Sequence, residues 1–364
     1  MSTPQPRPSV AAMPAYVAGK PPAERPGLVT YKLSSNENPY PPLDGVVEVA
    51  AEAAGRVNRY PDAGNTELYE ALATAYKVPA EELALSTGAV ALIFQLVSAY
   101  CGPEDEVVFA WRSFEAYPIA VLAAGATAVK VPLCSIDGPD AGHHDLDAMA
   151  AAITERTKVV FVCTPNNPTG TSVTQTELDA FLAKVPEHVL VVVDEAYAEF
   201  VRMDDAIDGV ATYRARANVV VLRTFSKAYG LAGFRVGYAF APAPIAATLR
   251  AMALPFGVNV VAQAAGVASL ERQTELLARV DDVVAERTRV VGGVRAAGWD
   301  VPDAQGNFVW FAFGSAERCS EFAAAADEVG LMVRPYPPEG VRVSIGEAEA
   351  NTRLIELAGS FPKG

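Results

Sequence analysis

The order of residue types along the chain predicts an α/β fold: a mainly parallel seven-stranded sheet with helices on both faces, followed by a smaller α+β domain. Three observations predict it. From about residue 46 to 245, short apolar runs alternate with amphipathic stretches such as Thr66–Tyr76 and Thr176–Lys184. Strands alternating with helices pair in parallel through right-handed crossovers. Several of the runs, Val189–Val193 above all, are apolar at consecutive positions, as a sheet covered on both faces requires. Finally, a proline-free helical tract from Val260 to Ala297 precedes three further strand runs.

The seven strands expected in the large sheet are Leu83–Ser86, Glu106–Trp111, Ala128–Leu133, Lys158–Cys163, Val189–Val193, Asn218–Arg223 and Arg235–Phe240. The later strands are Asn307–Phe313, Leu331–Arg334 and Val341–Ile345, with a helix Arg318–Val329 between the first two. A chain of 364 residues suits roughly two domains at about 150 residues each. The expected division is an arm, 1–45, packing with the small domain; a large domain, 46–260; and a small domain, 261–364.

Composition excludes several classes. Lys plus Arg is 29 and Asp plus Glu is 43, a net charge of −14 with no basic cluster, so nucleic acid is not an expected partner. Mean hydropathy is +0.18, yet no apolar run approaches the roughly 20 residues of a membrane helix. The proline-rich start has no charged and then apolar segment, so it does not read as a secretory signal. Cys101, Cys134, Cys163 and Cys319 form no CxxC pair, and with His143, His144 and His188 they make no zinc spacing. No metal is expected, Cys134 and Cys163 read as buried small hydrophobes, and the cytoplasm is the expected compartment. The chain lacks G-x-G, GxxxxGK[ST] and GxSxG, which removes the dehydrogenase, P-loop and α/β-hydrolase readings.

Four segments carry candidate chemistry, each just after a strand, where open α/β sheets bind ligands. In Thr224-Phe-Ser-Lys-Ala-Tyr-Gly-Leu-Ala-Gly-Phe-Arg235, Lys227 is an amine beside two hydroxyls and a returning arginine, a set suited to a phosphate. Asp194 ends an apolar strand, where a charge needs a partner, and Tyr197 lies three residues on. Asn167 sits between prolines in Thr164-Pro-Asn-Asn-Pro-Thr-Gly170; turn formation alone explains the string, but a rigid amide there can also donate to a ligand. Gly88-Ala-Val90 opens a helical run, which is ordinary capping and also an anion site.

Together with Ser35–Pro42 (SNENPYPP) and Asn58–Asp62 (NRYPD), these strings resemble the fold type I pyridoxal-5′-phosphate aminotransferases, over nearly the whole chain. The resemblance is to the histidinol-phosphate and aromatic-amino-acid aminotransferase group. It implies that Lys227 holds the cofactor aldehyde and moves the substrate proton, and that Asp194 pairs with the pyridine nitrogen. Asn167 and Tyr197 would bond the ring phenolate and Phe114 would stack on the ring. Arg235, Thr224, Ser226 and the Gly88, Ala89 and Val90 amides would hold the phosphate. Tyr60 would reach the phosphate of a second subunit, implying a homodimer. Arg342 would fork the substrate carboxylate, with Tyr16 covering the side chain and Asn36 and Arg334 as further contacts.

Where the histidinol-phosphate branch carries Gly-Ser-Asp-Glu, this chain has Gly88-Ala-Val-Ala, and Trp111-Arg-Ser-Phe-Glu-Ala-Tyr117 also resembles the aromatic branch. The expected reaction is transfer of an amino group from phenylalanine, tyrosine or tryptophan to 2-oxoglutarate by ping-pong chemistry. Histidinol phosphate as donor and a related decarboxylase are the alternatives. A cofactor-binding regulator would need a basic DNA-binding domain, for which the chain has no basic patch.

Overall fold

The structure, a computed structural model, describes residues 3–14, 26–135 and 141–363. Strand β1 is Tyr31–Lys32. Strands β2 (Leu83–Ser86), β3 (Glu106–Trp111), β4 (Thr127–Pro132), β5 (Thr157–Cys163), β6 (Leu190–Asp194), β7 (Val219–Thr224) and β8 (Gly237–Phe240) follow. These seven form one sheet in the order β2-β8-β7-β6-β5-β3-β4, in which only β8 runs against its neighbours. All seven expected strands are therefore present. Strand β6 is buried at every residue, so its valines pack into apolar cores on both faces. The last strand starts at Gly237, two residues later than expected, because Arg235 has φ +57°, which no extended strand accommodates.

Strands β9 (Phe308–Ala312), β10 (Leu331–Met332), β11 (Arg334–Tyr336) and β12 (Gly340–Ser344) complete the chain. The expected strand Leu331–Arg334 is two: β10 pairs in parallel with β1, and β11 pairs with β12, which pairs in turn with β9. The long helical tract also divides, into Val260–Glu271 and Gln273–Ala296, with Arg272 outside helical geometry. The first helix packs on Val46–Ala54 and Thr66–Tyr76; the second runs to the C-terminal helix Ala348–Ser360. No helix among the described residues is long and apolar enough to cross a membrane.

The N-terminal segment divides its contacts. Residues 31–36 join the C-terminal strands through β1, the Leu33 carbonyl and the Asn36 amide. Pro8–Ala11 instead lies on helix Ala116–Ala124, where the Arg7 guanidinium caps the Ala123 carbonyl. Cys163 is buried at 3% exposure, whereas Cys134 follows the half-covered edge strand β4 and is only half-buried.

Candidate active site

The carboxyl ends of β5, β6 and β7 and one face of the β9–β12–β11 sheet enclose a cavity of about 210 Å³. Parallel strands deliver their last residues to one edge, so Cys163, Asp194 and Thr224 arrive there together. Its lining includes Ala89, Val90, Phe114, Asn167, Asp194, Tyr197, Thr224, Ser226, Lys227, Arg235, Arg334 and Arg342.

At the floor, the Asp194 carboxylate accepts from Tyr117 Oη at 2.7 Å and from the Ala196 amide at 3.3 Å. No cationic side chain bonds it among the described residues, and burial pushes its pKa up to about 6. Lys227 follows β7. Its Nζ donates to the Ser35 and Asn36 carbonyls at 3.0 and 3.2 Å. Desolvation, reinforced by the Arg342 charge, brings its pKa down to about 7.

Arg235 returns to the same end through its left-handed backbone. Nη1 donates to Ser226 Oγ at 3.3 Å and to the Ala232 carbonyl at 2.8 Å, and among the described residues no carboxylate pairs with it. Gly88, at φ +90°, faces it: a Cβ there would stand 2.6 Å from Arg235 Nη2. Gly237 lies as close on the other side, where a Cβ would meet the Ala89 amide nitrogen at 2.4 Å. Only glycine admits this approach of helix start, guanidinium and strand.

On the opposite wall, Arg342 is 5% exposed. Its Nη1 donates to Asn167 Oδ1 and its Nη2 to the Ser34 carbonyl, while the buried Nε finds no acceptor among the described residues. Asn167 thus keeps its amide N–H groups free to face the cavity. Tyr197 Oη accepts from Asn36 Nδ2 at 3.0 Å, which leaves its own proton for a ligand. Asn36 is buried behind Tyr197 and does not line the cavity. Phe114 borders the cavity and meets Tyr117 edge-on at 5.7 Å.

Two expected residues stand elsewhere. Tyr60 is 81% exposed and stacks on Phe256 at 4.5 Å, outside the cavity of its own chain. Tyr16 lies outside the described residues. Arg334 does border the cavity but is engaged by Glu115 at 2.9 Å. Tyr117, Glu115, Tyr336 and the Ser34–Ser35 backbone were not expected. Phe114 and Tyr117 are spaced by three residues, so a helical reading of that turn would have put both on one face.

Chemically, Arg235 with Thr224 and Ser226 suits a phosphate. Asp194 without a cation suits a protonated ring nitrogen, a Lys227 amine that loses its proton near pH 7 suits an aldehyde, and the Arg342 Nε suits a carboxylate. The chain matches the aminotransferase class I and II family over residues 30–357 and belongs to it. It is 54% identical over 362 residues to the aromatic amino acid aminotransferase of Streptomyces avermitilis, spanning 100% of this chain and 99% of that one. It is 50% identical over 358 residues to the protein of the same description from Rhodococcus jostii, spanning 98% and 96%. Its fold is similar to that of the histidinol-phosphate aminotransferase of Sinorhizobium meliloti, solved with pyridoxal-5′-phosphate (TM-score 0.87, 24% identity, 98% and 97% of the two chains).

Proposed function

We propose that this protein is an aminotransferase that uses pyridoxal 5′-phosphate to move an amino group from phenylalanine, tyrosine or tryptophan to 2-oxoglutarate. The observation that carries the chemistry is one cavity holding a desolvated lysine amine, an acid that no cationic side chain bonds among the described residues, and two separate arginines, Arg235 and Arg342, with no carboxylate partner among the described residues. Full-length identity of about half to two aromatic amino acid aminotransferases supports the substrate class.

When bound, the cofactor would withdraw electrons from the substrate α-carbon and carry the amino group from the donor amino acid to the acceptor keto acid. Arg235, Thr224, Ser226 and the amides of Gly88, Ala89 and Val90 would hold the phosphate, and Phe114 would stack on the ring. Asp194 holds a proton on the ring nitrogen, with Tyr117 and the Ala196 amide keeping the carboxylate in place. The free donor groups of Asn167 and Tyr197 hold the ring hydroxyl oxygen. Lys227 secures the aldehyde between turnovers. Its amine would take and return the proton at the donor's α-carbon, a role suited to a group that loses its proton near pH 7. Arg342 aligns the α-carboxylate through its Nε and terminal nitrogens.

Tyr60, Phe256, Val57 and Leu254 expose aromatic and aliphatic surface, which supports a homodimer with Tyr60 reaching the partner's phosphate site. Cys101, Cys134, Cys163 and Cys319 form no disulfide, which suits the cytoplasm. Steady-state kinetics on the wild-type holoenzyme test the assignment. Parallel double-reciprocal lines for phenylalanine against 2-oxoglutarate are expected. Histidinol phosphate exceeding phenylalanine in kcat/KM by more than about tenfold would overturn the aromatic assignment.

A further inference from the structure

Strand β12 brings a second polar residue to the site, two positions after Arg342. Ser344 is 2% exposed and pairs with Phe308 on β9. Its backbone amide donates to the Leu33 carbonyl at 2.9 Å, and its hydroxyl meets Asn36 twice. The Asn36 backbone N–H donates to Ser344 Oγ at 2.8 Å, and Oγ donates to Asn36 Oδ1 at 3.0 Å. Asn36 is buried, with φ +52°, a conformation that Asn and Asp accept more readily than most residues.

The directions of these bonds follow from what each group can offer. A backbone N–H only donates, so Ser344 Oγ accepts there. Among the described residues Oγ meets one acceptor, Asn36 Oδ1, and the hydroxyl proton goes to it. The amide is thereby fixed with Oδ1 on Ser344 and Nδ2 on Tyr197. Tyr197 Oη accepts that bond and has no other hydrogen-bond partner among the described residues, so its own proton is left for the cavity it borders. Turning the amide over would set a carbonyl oxygen against Tyr197 and draw that proton away. The chain Ser344–Asn36–Tyr197 therefore runs one way, from the strand that carries Arg342 to the reactive groups.

We infer that Ser344 is a positioning residue for the reaction: by fixing the Asn36 amide, it makes Tyr197 a hydrogen-bond donor to the ring oxygen of the cofactor. The inference rests on the pyridoxal-phosphate reading above. A bond donated to that oxygen offsets its negative charge, so the ionisable group beside it loses its proton at lower pH, and loss of the donor raises that pH. The charged and titratable groups about Tyr197 are Lys227, with Nζ 5.7 Å from the ring centroid, Arg342, Asp194 and the Cys163 thiol. Ser344→Ala leaves all four in place, so its effect reads the hydrogen-bond chain.

The test is a pH titration of the visible absorbance of protein loaded with pyridoxal 5′-phosphate. Tyr197→Phe should raise the midpoint by about 1–2 pH units, as the loss of one bond to a charged group does. Ser344→Ala should raise it by about 0.5–1 unit, and by less than about 0.2 unit once Tyr197→Phe is present. Asn36→Asp suits the same φ but offers Tyr197 only acceptors, and should raise the midpoint at least as far as Tyr197→Phe. A midpoint that follows Tyr197→Phe but not Ser344→Ala overturns the inference, as does one that Ser344→Ala moves equally with and without the Tyr197 hydroxyl. Weaker cofactor retention at an unmoved midpoint would make Ser344 a brace and overturns it too, as does a midpoint that ignores Tyr197→Phe. In each of these cases the visible band leaves the cofactor assignment standing. Wild-type protein that forms no visible band with pyridoxal 5′-phosphate defeats the aminotransferase reading, and the inference with it.

Discussion

The two sheets meet the same cavity with opposite electrostatics. The large sheet contributes ionisable groups whose charge burial suppresses: Asp194 is pushed up to about 6 and Lys227 down to about 7. The small sheet contributes two arginines, one paired with a carboxylate and one meeting, among the described residues, only neutral acceptors. A group that must exchange protons gains from a poised pKa, whereas a group that must recognise a carboxylate gains from a permanent charge. The large-sheet wall is thus built for reaction and the small-sheet wall for selection.

Substitutions on the reactive wall should cost turnover, and the largest loss belongs to Lys227. Lys227→Ala should lower kcat by about 10³- to 10⁴-fold, the range of a general acid–base group, and remove the visible cofactor band. Retention of both would break the contrast at its centre. The same residue gives a pH test in the cofactor-free protein. Its amine should acylate with a midpoint about pH 7, read by peptide mass mapping; a midpoint near 10.5 would show an ordinary solvated lysine. Because the folded pKa is depressed, the unfolded chain binds the extra proton between about pH 7 and 10.5. This lysine's contribution to stability therefore rises with pH across that window and is flat below it.

Asp194→Asn removes the partner of a buried charge, and turnover should fall by about 10²- to 10³-fold with weakened cofactor retention, read by dialysis and absorbance. On the selective wall, Arg342→Gln should act mainly on KM, raising it by about 30-fold or more for every amino donor while kcat falls far less. A fall confined to kcat would place Arg342 with the reactive groups instead. The smallest effect sharpens the contrast. Tyr117→Phe loses the 2.7 Å bond to Asp194, pushes that carboxyl higher still, and should weaken cofactor affinity about tenfold with KM for phenylalanine unchanged.

Much of the reactive wall was legible in the sequence. Lys227, Asp194, Asn167, Thr224 and Ser226 each follow an apolar strand closely, and apolar strands in alternation with helices specify parallel pairing and a shared carboxyl edge. The selective wall was less legible. Arg334 read as a substrate contact, yet its guanidinium is paired with Glu115, 219 residues away in sequence. Asn36 read as a substrate contact, yet it is buried behind Tyr197 and orients that hydroxyl from a position 161 residues earlier. The strand expected at Leu331–Arg334 failed for the same reason: its halves pair with β1 and β12, and nothing in the run announces which partner each half meets.

By itself, the sequence determined the residue types, their spacing and the strand periodicity, because these are local properties of the chain. Tertiary structure decided which charges cancel and which stay free. Burial of Asp194 without a cation, desolvation of Lys227, the cross-strand placement of Arg334 beside Arg342 and the capture of Arg334 by Glu115 all depend on neighbours far apart in sequence. Charge state in a cavity is set by distance and dielectric, and only the folded chain fixes either.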